Sequence, residues 1–167
     1  MTPGRRVTLD TCVLISYIIS KKDGSVVKKV VNKAKEDDEL MITDIIRDEL
    51  LKYPEKKGSR LGKKDIEDAL KRLDVPIMVV GPSPSLEELV ERYSIRDVAD
   101  LPILYSVDLS RSTILVTYDD DFFDGSVQGV EAEIMDPLAY LREDDICSGR
   151  FVPKNGKTGR IVKSRRS

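Results

Sequence analysis

Short apolar segments with the character of β-strands alternate along this chain with longer segments that have helical periodicity. The strand-like segments are almost uniformly apolar, which is typical of parallel strands that helices cover on both faces of a sheet. Alternating strands and helices predict an α/β fold with a mainly parallel central sheet. In such sheets, ligands bind beyond the carboxyl ends of the strands. The predicted strands are residues 5–9, 40–43, 75–81, 112–117 and 132–136.

The positive charge of the chain is concentrated at its C-terminal end. The 167 residues include 28 Lys or Arg and 30 Asp or Glu, but residues 148–167 hold seven of the basic residues and none of the acidic ones. We therefore expect one folded domain over residues 1–147, long enough to bury a sizeable core, and a flexible basic tail over residues 148–167. An acidic body with a basic tail is typical of proteins that contact nucleic acid, although a solvated terminus explains the tail equally well.

The residue types that the chain lacks exclude several kinds of site. With no histidine and only two cysteines, Cys12 and Cys147, the chain has no ligand set for zinc and no disulfide framework. The apolar run over residues 12–19 is too short to span a bilayer, and no cleavage site of a signal peptide follows it. We therefore expect a cytoplasmic protein that does not associate with membranes. Asparagine and glutamine are scarce, which favours a thermophilic source.

Two acidic residues follow predicted strands. Asp10 comes directly after the strand over residues 5–9, and Asp119 comes two residues after the strand over residues 112–117. Because the carboxyl ends of parallel strands lie at the same rim of a sheet, both side chains are expected to project towards one place. A single aspartate at a strand end is commonly a helix cap or a turn residue, so two at one rim indicate a site without identifying it.

Asp119 also begins a run of three aspartates between a β-branched strand and two aromatic residues. Three adjacent carboxylates in such surroundings indicate that a cation sits there. We expect Asp119 and Asp121 to be the functional pair and Asp120 to face water. Phe122 and Phe123 are expected to anchor the turn in the core.

Two further acids lie on the apolar faces of predicted helices. Glu49 shares its face with Ile45, and Asp100 shares its face with Ile103. An acid on an apolar face needs a partner, which is either a bound cation or a basic side chain from elsewhere in the chain. Helical spacing places Lys52 on a different face from Glu49, and Asp97 has an easy route to water.

Taken together, these acids predict a metal site. Two like charges about 4 Å apart repel by roughly 4 kcal/mol at an effective dielectric of 20, so a cluster of carboxylates needs cations to stay ionised. Oxygen ligands without histidine or cysteine favour Mg²⁺ or Mn²⁺. Metals bound in this way commonly act on phosphates, because they activate water and neutralise charge on the phosphodiester. The predicted cluster comprises Asp10, Glu49, Asp100 and Asp119, with Asp121 close behind.

Four short motifs resemble those of the PIN-domain ribonucleases, a family that includes the toxin components of VapBC-type toxin–antitoxin pairs. The resemblance covers most of residues 5–141 and rests on the order and spacing of the motifs more than on any one of them. The motifs are VTLDTCVLI, ITDIIRDEL, DLPILYSV and ILVTYDDDFF.

The resemblance implies a three-layer α/β/α fold and cleavage of single-stranded RNA that depends on Mg²⁺ or Mn²⁺. It implies that water is the nucleophile and that one product keeps a 5′-phosphate. Thr117 matches a position where the family often has a hydroxyl near the metal-bound water. Tyr118 departs from the small or polar residue that is usual in the family, and we expect it to narrow the pocket or to offer a base a stacking surface. The implied catalytic and metal-binding residues are Asp10, Glu49, Asp100 and Asp119, with Asp121 as a supplementary metal ligand.

Several alternatives remain at the level of sequence. An antitoxin partner and a homodimer are both possible for a chain of this family, and a non-catalytic PIN-fold module that binds RNA or protein is the alternative function. The basic loop over residues 54–64 lies outside the motifs. A phosphate-binding loop at residues 155–159 is rejected, because the earlier glycine is missing and no helical segment follows. A receiver-type phosphorylation domain is rejected, because Asp10 has no adjacent acid and the late strand offers no lysine.

Overall fold

The structure, a computed structural model, describes residues 4–147. The basic tail predicted over residues 148–167 lies outside this range, so the division into a domain and a tail stays a prediction. Within the described part of the chain, five strands form one sheet. The strands are β1 (Arg6–Leu9), β2 (Glu39–Thr43), β3 (Ile77–Met78), β4 (Ile114–Val116) and β5 (Glu133–Met135).

The sheet is parallel throughout, with the strand order β3-β2-β1-β4-β5. The first strand of the chain lies at its centre, where Thr8 is in register with Met41 of β2 and with Leu115 of β4. The carboxyl ends of β1, β2 and β4 therefore meet at one rim. Together with seven helices, this sheet forms the α/β sandwich that the sequence predicted.

An α-helix follows every strand except β4, which leads through a single 3-10 turn, Asp120–Phe122, to β5. Helix α2 packs against α1 and α7, and α6 packs against α3 and α5. None of the helices within residues 4–147 is long and apolar enough to cross a membrane. The helices are α1 (Thr11–Ile19), α2 (Val26–Glu36), α3 (Asp44–Lys52), α4 (Lys63–Leu73), α5 (Leu86–Arg92), α6 (Leu101–Leu109) and α7 (Pro137–Cys147).

Apart from Arg6, the residues of β1 and β4 are buried, which explains the apolar composition of these strands. Val7, Leu115 and Val116 are inaccessible to solvent, because helices cover the sheet around them. Strand β3 is shorter than the predicted segment over residues 75–81, since the N–H of Val80 donates to a carboxylate oxygen of Asp44 instead of continuing the ladder.

A partly buried ionic network lies at the opposite rim of the sheet. Arg5 forms ion pairs with Asp38 at 3.1 Å and with Glu143 at 2.7 Å. Lys33 donates to the backbone oxygen of Tyr140 at 2.7 Å, and the hydroxyl of Tyr140 donates to Asp38. These contacts attach α7 to α2 and to the start of β1, away from the carboxyl ends of the strands.

Candidate metal centre

Asp10 lies between the end of β1 and the first turn of α1. Its Oδ1 accepts a 2.8 Å hydrogen bond from the N–H of Thr11, and its Oδ2 accepts one of 2.7 Å from the hydroxyl of Thr117. Only 6% of Asp10 is exposed. Burial raises the pKa of Asp10, hydrogen bonds from Thr117 and Thr11 oppose that shift, and the charge of Asp119 adds to it.

The end of β4 carries Thr117 and the three aspartates. Thr117 is fully buried, and its hydroxyl oxygen accepts a 3.0 Å hydrogen bond from the N–H of Asp119. Asp119 Oδ1 in turn accepts from the N–H of Asp121 at 2.9 Å, which closes a single 3-10 turn. Phe122 is buried and Asp120 is exposed, as predicted.

Glu49 reaches the same rim from α3. The hydroxyl of Thr11 donates to Glu49 Oε1 at 2.9 Å, so that Thr11 links the helix to the end of β1. Burial raises the pKa of Glu49, and the charge of Asp10 adds to the shift, whereas the charges of Lys56 and Lys52 oppose it. Helical spacing had placed Lys52 on a different face of α3 from Glu49, but in the structure its charge is close enough to lower the pKa of Glu49.

Asp100 is close enough to four other acids for their charges to affect it. It ends a 3-10 turn, Val98–Asp100, and immediately precedes α6, rather than lying on the apolar face of that helix. Burial raises its pKa to about 7, and the charges of the surrounding acids contribute in the order Asp10, Asp119, Asp97 and Glu49. The four acids predicted from sequence are therefore close enough to influence one another.

One oxygen of Asp100 has no partner. Its Oδ2 is buried and, among the residues that the structure describes, accepts no hydrogen bond. A buried carboxylate oxygen in this state is costly unless a cation or a proton satisfies it. Asp100 Oδ2 is therefore the atom of this site that most needs a bound ligand.

Asp97 is the acidic residue that sequence reasoning missed. One ligand oxygen from each of Asp97, Asp100 and Asp121 lies within 4.8 Å of the others, the one such group of three within residues 4–147. Asp97 is exposed, as expected, but it lies three residues before Asp100 and its carboxylate comes close to those of Asp100 and Asp121. The spacing of three residues between Asp97 and Asp100 was the sequence signal that could have identified it. The group includes two of the five predicted ligands and can hold a cation.

Arg96 supplies a positive charge at the edge of this group. It forms ion pairs with Asp121 and, at 3.4 Å, with Asp124, while 63% of its side chain remains exposed. The N–H of Arg96 also donates to the hydroxyl oxygen of Ser126 at 3.0 Å. Nothing in the local sequence indicated this cation, because Arg96 and Asp121 lie on different loops.

Two neighbours of the predicted residues do not provide metal ligands. Tyr118 is 47% exposed and therefore does not fill the space between the carboxylates. The thiol of Cys12 lies 3.5 Å from Asp10 Oδ2. Burial and the charge of Asp10 raise the pKa of this thiol to about 11, so it stays protonated at neutral pH and donates a hydrogen bond.

The donors at this rim are thus carboxylate oxygens, which suit a hard divalent cation. The family model described as the PIN domain matches residues 7–126. The chain belongs to the PIN domain family, and the matched range contains every residue that the sequence placed in the site. No curated protein gives a significant match to the chain.

Proposed function

We propose that this PIN-domain chain is an endoribonuclease that depends on Mg²⁺ or Mn²⁺ and hydrolyses phosphodiester bonds of single-stranded RNA. The observation that carries the proposal is the state of Asp100. Its Oδ2 is buried without a partner, and its pKa is raised to about 7 amid four other acids. A bound divalent cation would satisfy that oxygen and relieve the repulsion between the acids.

In this proposal Asp10, Glu49, Asp100 and Asp119 hold the metal, and Asp121 extends the set. When bound, the metal supplies an activated water and neutralises charge on the phosphodiester. Hydrolysis by water would break the bond between phosphorus and the 3′-oxygen, and would leave a 3′-hydroxyl and a 5′-phosphate.

The hydroxyl groups of Thr117 and Thr11 act as positioning groups. Thr117 donates to Asp10 Oδ2 at 2.7 Å, and Thr11 donates to Glu49 Oε1 at 2.9 Å. A carboxylate has about four acceptor sites over its two oxygens, so these hydrogen bonds, with that of the Cys12 thiol to Asp10 Oδ2, orient Asp10 and Glu49 without removing their capacity to bind a cation. Both contacts support the proposed roles of the two acids.

A toxin of the VapC type, with an antitoxin partner and a homodimeric form, is the narrower version of this proposal. It is supported by the order of the motifs alone. The alternative is a non-catalytic PIN-fold module that binds RNA or protein. The ion pair between Arg96 and Asp121 favours this alternative, because it places a protein cation on one of the candidate ligands.

A cleavage assay separates these possibilities. Single-stranded RNA labelled at one end is incubated with the wild-type protein in Mn²⁺, in Mg²⁺ or in EDTA. Asp119→Asn is compared with Asp120→Asn, which alters the adjacent exposed acid as a matched control. We expect cleavage that depends on the metal and leaves 5′-phosphates for the wild type and for Asp120→Asn, and none for Asp119→Asn.

Two results would overturn the proposal. Undiminished cleavage by Asp119→Asn would refute the site, and cleavage in EDTA would refute the metal dependence. Binding of RNA without cleavage by any of the proteins would instead support the non-catalytic alternative.

A further inference from the structure

Residues 52–64 form a strongly basic segment that the proposed catalytic chemistry does not use. This basic segment contains six basic residues and one acidic residue, Glu55, whereas the whole chain is close to neutral. All six basic side chains are exposed, and none forms an ion pair with any residue between 4 and 147. The six are Lys52, Lys56, Lys57, Arg60, Lys63 and Lys64.

The basic segment has a defined conformation. It begins with a 3-10 turn, Tyr53–Glu55, and the N–H of Ser59 donates to the backbone oxygen of Lys56 at 3.1 Å. The hydroxyl oxygen of Ser59 then accepts from the N–H of Leu61 at 3.2 Å. The side chains of Tyr53 and Leu61 pack against the hydrophobic core. The cations are therefore displayed from fixed turns, which reduces the entropy that a ligand would have to remove.

The basic segment begins at the acidic rim. Lys52 is the last residue of α3, the helix that carries Glu49, and the 3-10 turn continues directly from it. Lys52 and Lys56 come three and seven residues after Glu49, at the end of α3 and directly after the 3-10 turn. Their charges also oppose the rise that burial causes in the pKa of Glu49. The cations thus continue the surface on which the acids lie.

Two details of the basic segment suit single-stranded nucleic acid. Lys56 Nζ lies 5.7 Å from the centroid of the Tyr53 ring, so that an aromatic face adjoins a phosphate-binding charge. Lys63 and Lys64 occupy the first turn of α4, where the helix dipole disfavours cations and attracts anions. Asp65 lies in the same turn and accepts from the N–H of Gly62, so the two lysines leave this turn with a net positive charge.

We propose that the basic segment binds successive phosphates of single-stranded RNA and guides the strand to the acidic rim. The identity of the strand rests on the proposed function. An acidic protein segment is a different ligand that cations also attract. The aromatic ring of Tyr53 and the direct continuation of the acidic rim favour the nucleic acid.

Fluorescence anisotropy tests this proposal without relying on catalysis. A fluorescein-labelled oligouridylate of about 12 nucleotides, a length within the usual range of single-strand sites, is titrated with the full chain in EDTA at several NaCl concentrations. The test variant combines Lys56→Gln, Lys57→Gln and Arg60→Gln. The control combines Lys21→Gln, Lys22→Gln and Lys29→Gln, which removes the same charge from exposed positions near α1 and α2.

We expect the test variant to bind roughly tenfold or more weakly, and its plot of log affinity against log salt to be flatter by about 2, or about 0.7 for each lost phosphate contact. The control should keep the wild-type slope. Equal slopes for the two variants, or no binding by the wild type, would overturn the proposal. Displacement of the RNA by polyglutamate at equal concentration of charge would also overturn it, in favour of an acidic protein.

The outcome is independent of nuclease activity. A protein that cuts no RNA but shows the flattened slope would support the basic segment and refute the proposed catalysis. If the wild type cuts RNA but the test variant keeps the wild-type slope, the proposed catalysis is supported and the role of the basic segment is refuted.

Discussion

The hydroxyl of Thr117 donates a 2.7 Å hydrogen bond to Asp10 Oδ2, and so joins the residue that follows β4 to the residue that follows β1. The same hydroxyl oxygen accepts a hydrogen bond from the N–H of Asp119 at 3.0 Å. One buried side chain therefore sets the separation of two candidate metal ligands that lie 109 positions apart in the chain, at 10 and 119.

Removing this hydroxyl is expected to weaken both the fold and the site. Thr117→Val keeps the shape but leaves the N–H of Asp119 without its partner and Asp10 Oδ2 with only the long contact to the thiol of Cys12. The free energy of unfolding should fall by about 1–3 kcal/mol, the usual cost of a buried polar group left unsatisfied. Urea denaturation measures that loss, and RNA cleavage should fall with it. Thr117→Ser is the control and should restore both, whereas wild-type behaviour of Thr117→Val would contradict the positioning role.

Arg96 is expected to compete with the metal for Asp121. Arg96→Gln removes the positive charge that forms ion pairs with Asp121 and Asp124, so the affinity for Mn²⁺ should increase. Calorimetric titration with Mn²⁺ measures the change. Lys71→Gln removes an equal charge from an exposed position on α4 and should leave the affinity unchanged. Weaker binding by Arg96→Gln would show that Arg96 supports the site.

The metal-free protein is expected to lose stability as the pH rises. Burial and neighbouring acids raise the pKa of Asp100 from 3.8 to about 7, so the folded protein holds this proton more tightly than the unfolded chain does. The resulting stabilisation is complete below the unfolded value of 3.8 and is lost as the pH rises through about 7. Asp100→Asn cannot lose a proton and avoids this loss.

Melting temperatures in EDTA test this dependence. Asp100→Asn should exceed the wild type by more at about pH 8 than at about pH 5, because the wild-type carboxyl ionises between the two. Asp120→Asn, which alters an exposed neighbour, should show no such difference. An equal effect of Asp100→Asn at both pH values would contradict the assigned origin of the shift.

The loop that carries Gly129 is expected to hold Arg96 and Asp97 in place. A Cβ on Gly129 would lie 2.2 Å from the backbone oxygen of Arg92, and the φ of Gly129 is +91°. Gly125 has a φ of +88° but open space around it.

Both positions therefore carry the backbone cost of an alanine, about 1–2 kcal/mol, but only Gly129→Ala adds overpacking of about 1–3 kcal/mol. Chemical denaturation should show a larger loss of unfolding free energy for Gly129→Ala than for Gly125→Ala. Equal losses would mean that the close approach is relieved by movement of the loop.

The sequence predicted those parts of the site that depend on local pattern. Asp10 and Asp119 could be placed because both follow apolar strands, and parallel strands end at one rim. Helical periodicity drew attention to Glu49, which the structure brings to that rim through Thr11. Their roles in metal binding and catalysis stay a proposal.

The remaining parts depend on contacts between distant loops, for which the sequence has no periodic signal. Ser94 and Gln128 exchange backbone hydrogen bonds at 3.1 and 3.0 Å, and this pairing brings the segment that carries Arg96 and Asp97 beside Asp121. Similarly, Lys56 influences Glu49 only because a 3-10 turn continues α3 without a break. Tertiary packing, rather than local propensity, decides these positions.

The most direct test of the acidic rim as a metal site is calorimetric titration with Mn²⁺ of the wild type, Asp100→Asn and Asp120→Asn. Asp100 carries the buried oxygen without a partner, and Asp120 is the exposed acid on the adjacent turn. We expect saturable binding by the wild type and by Asp120→Asn, and binding at least about tenfold weaker, equivalent to about 1.4 kcal/mol, by Asp100→Asn. Equal affinity in all three proteins, or no binding by the wild type, would contradict this expectation.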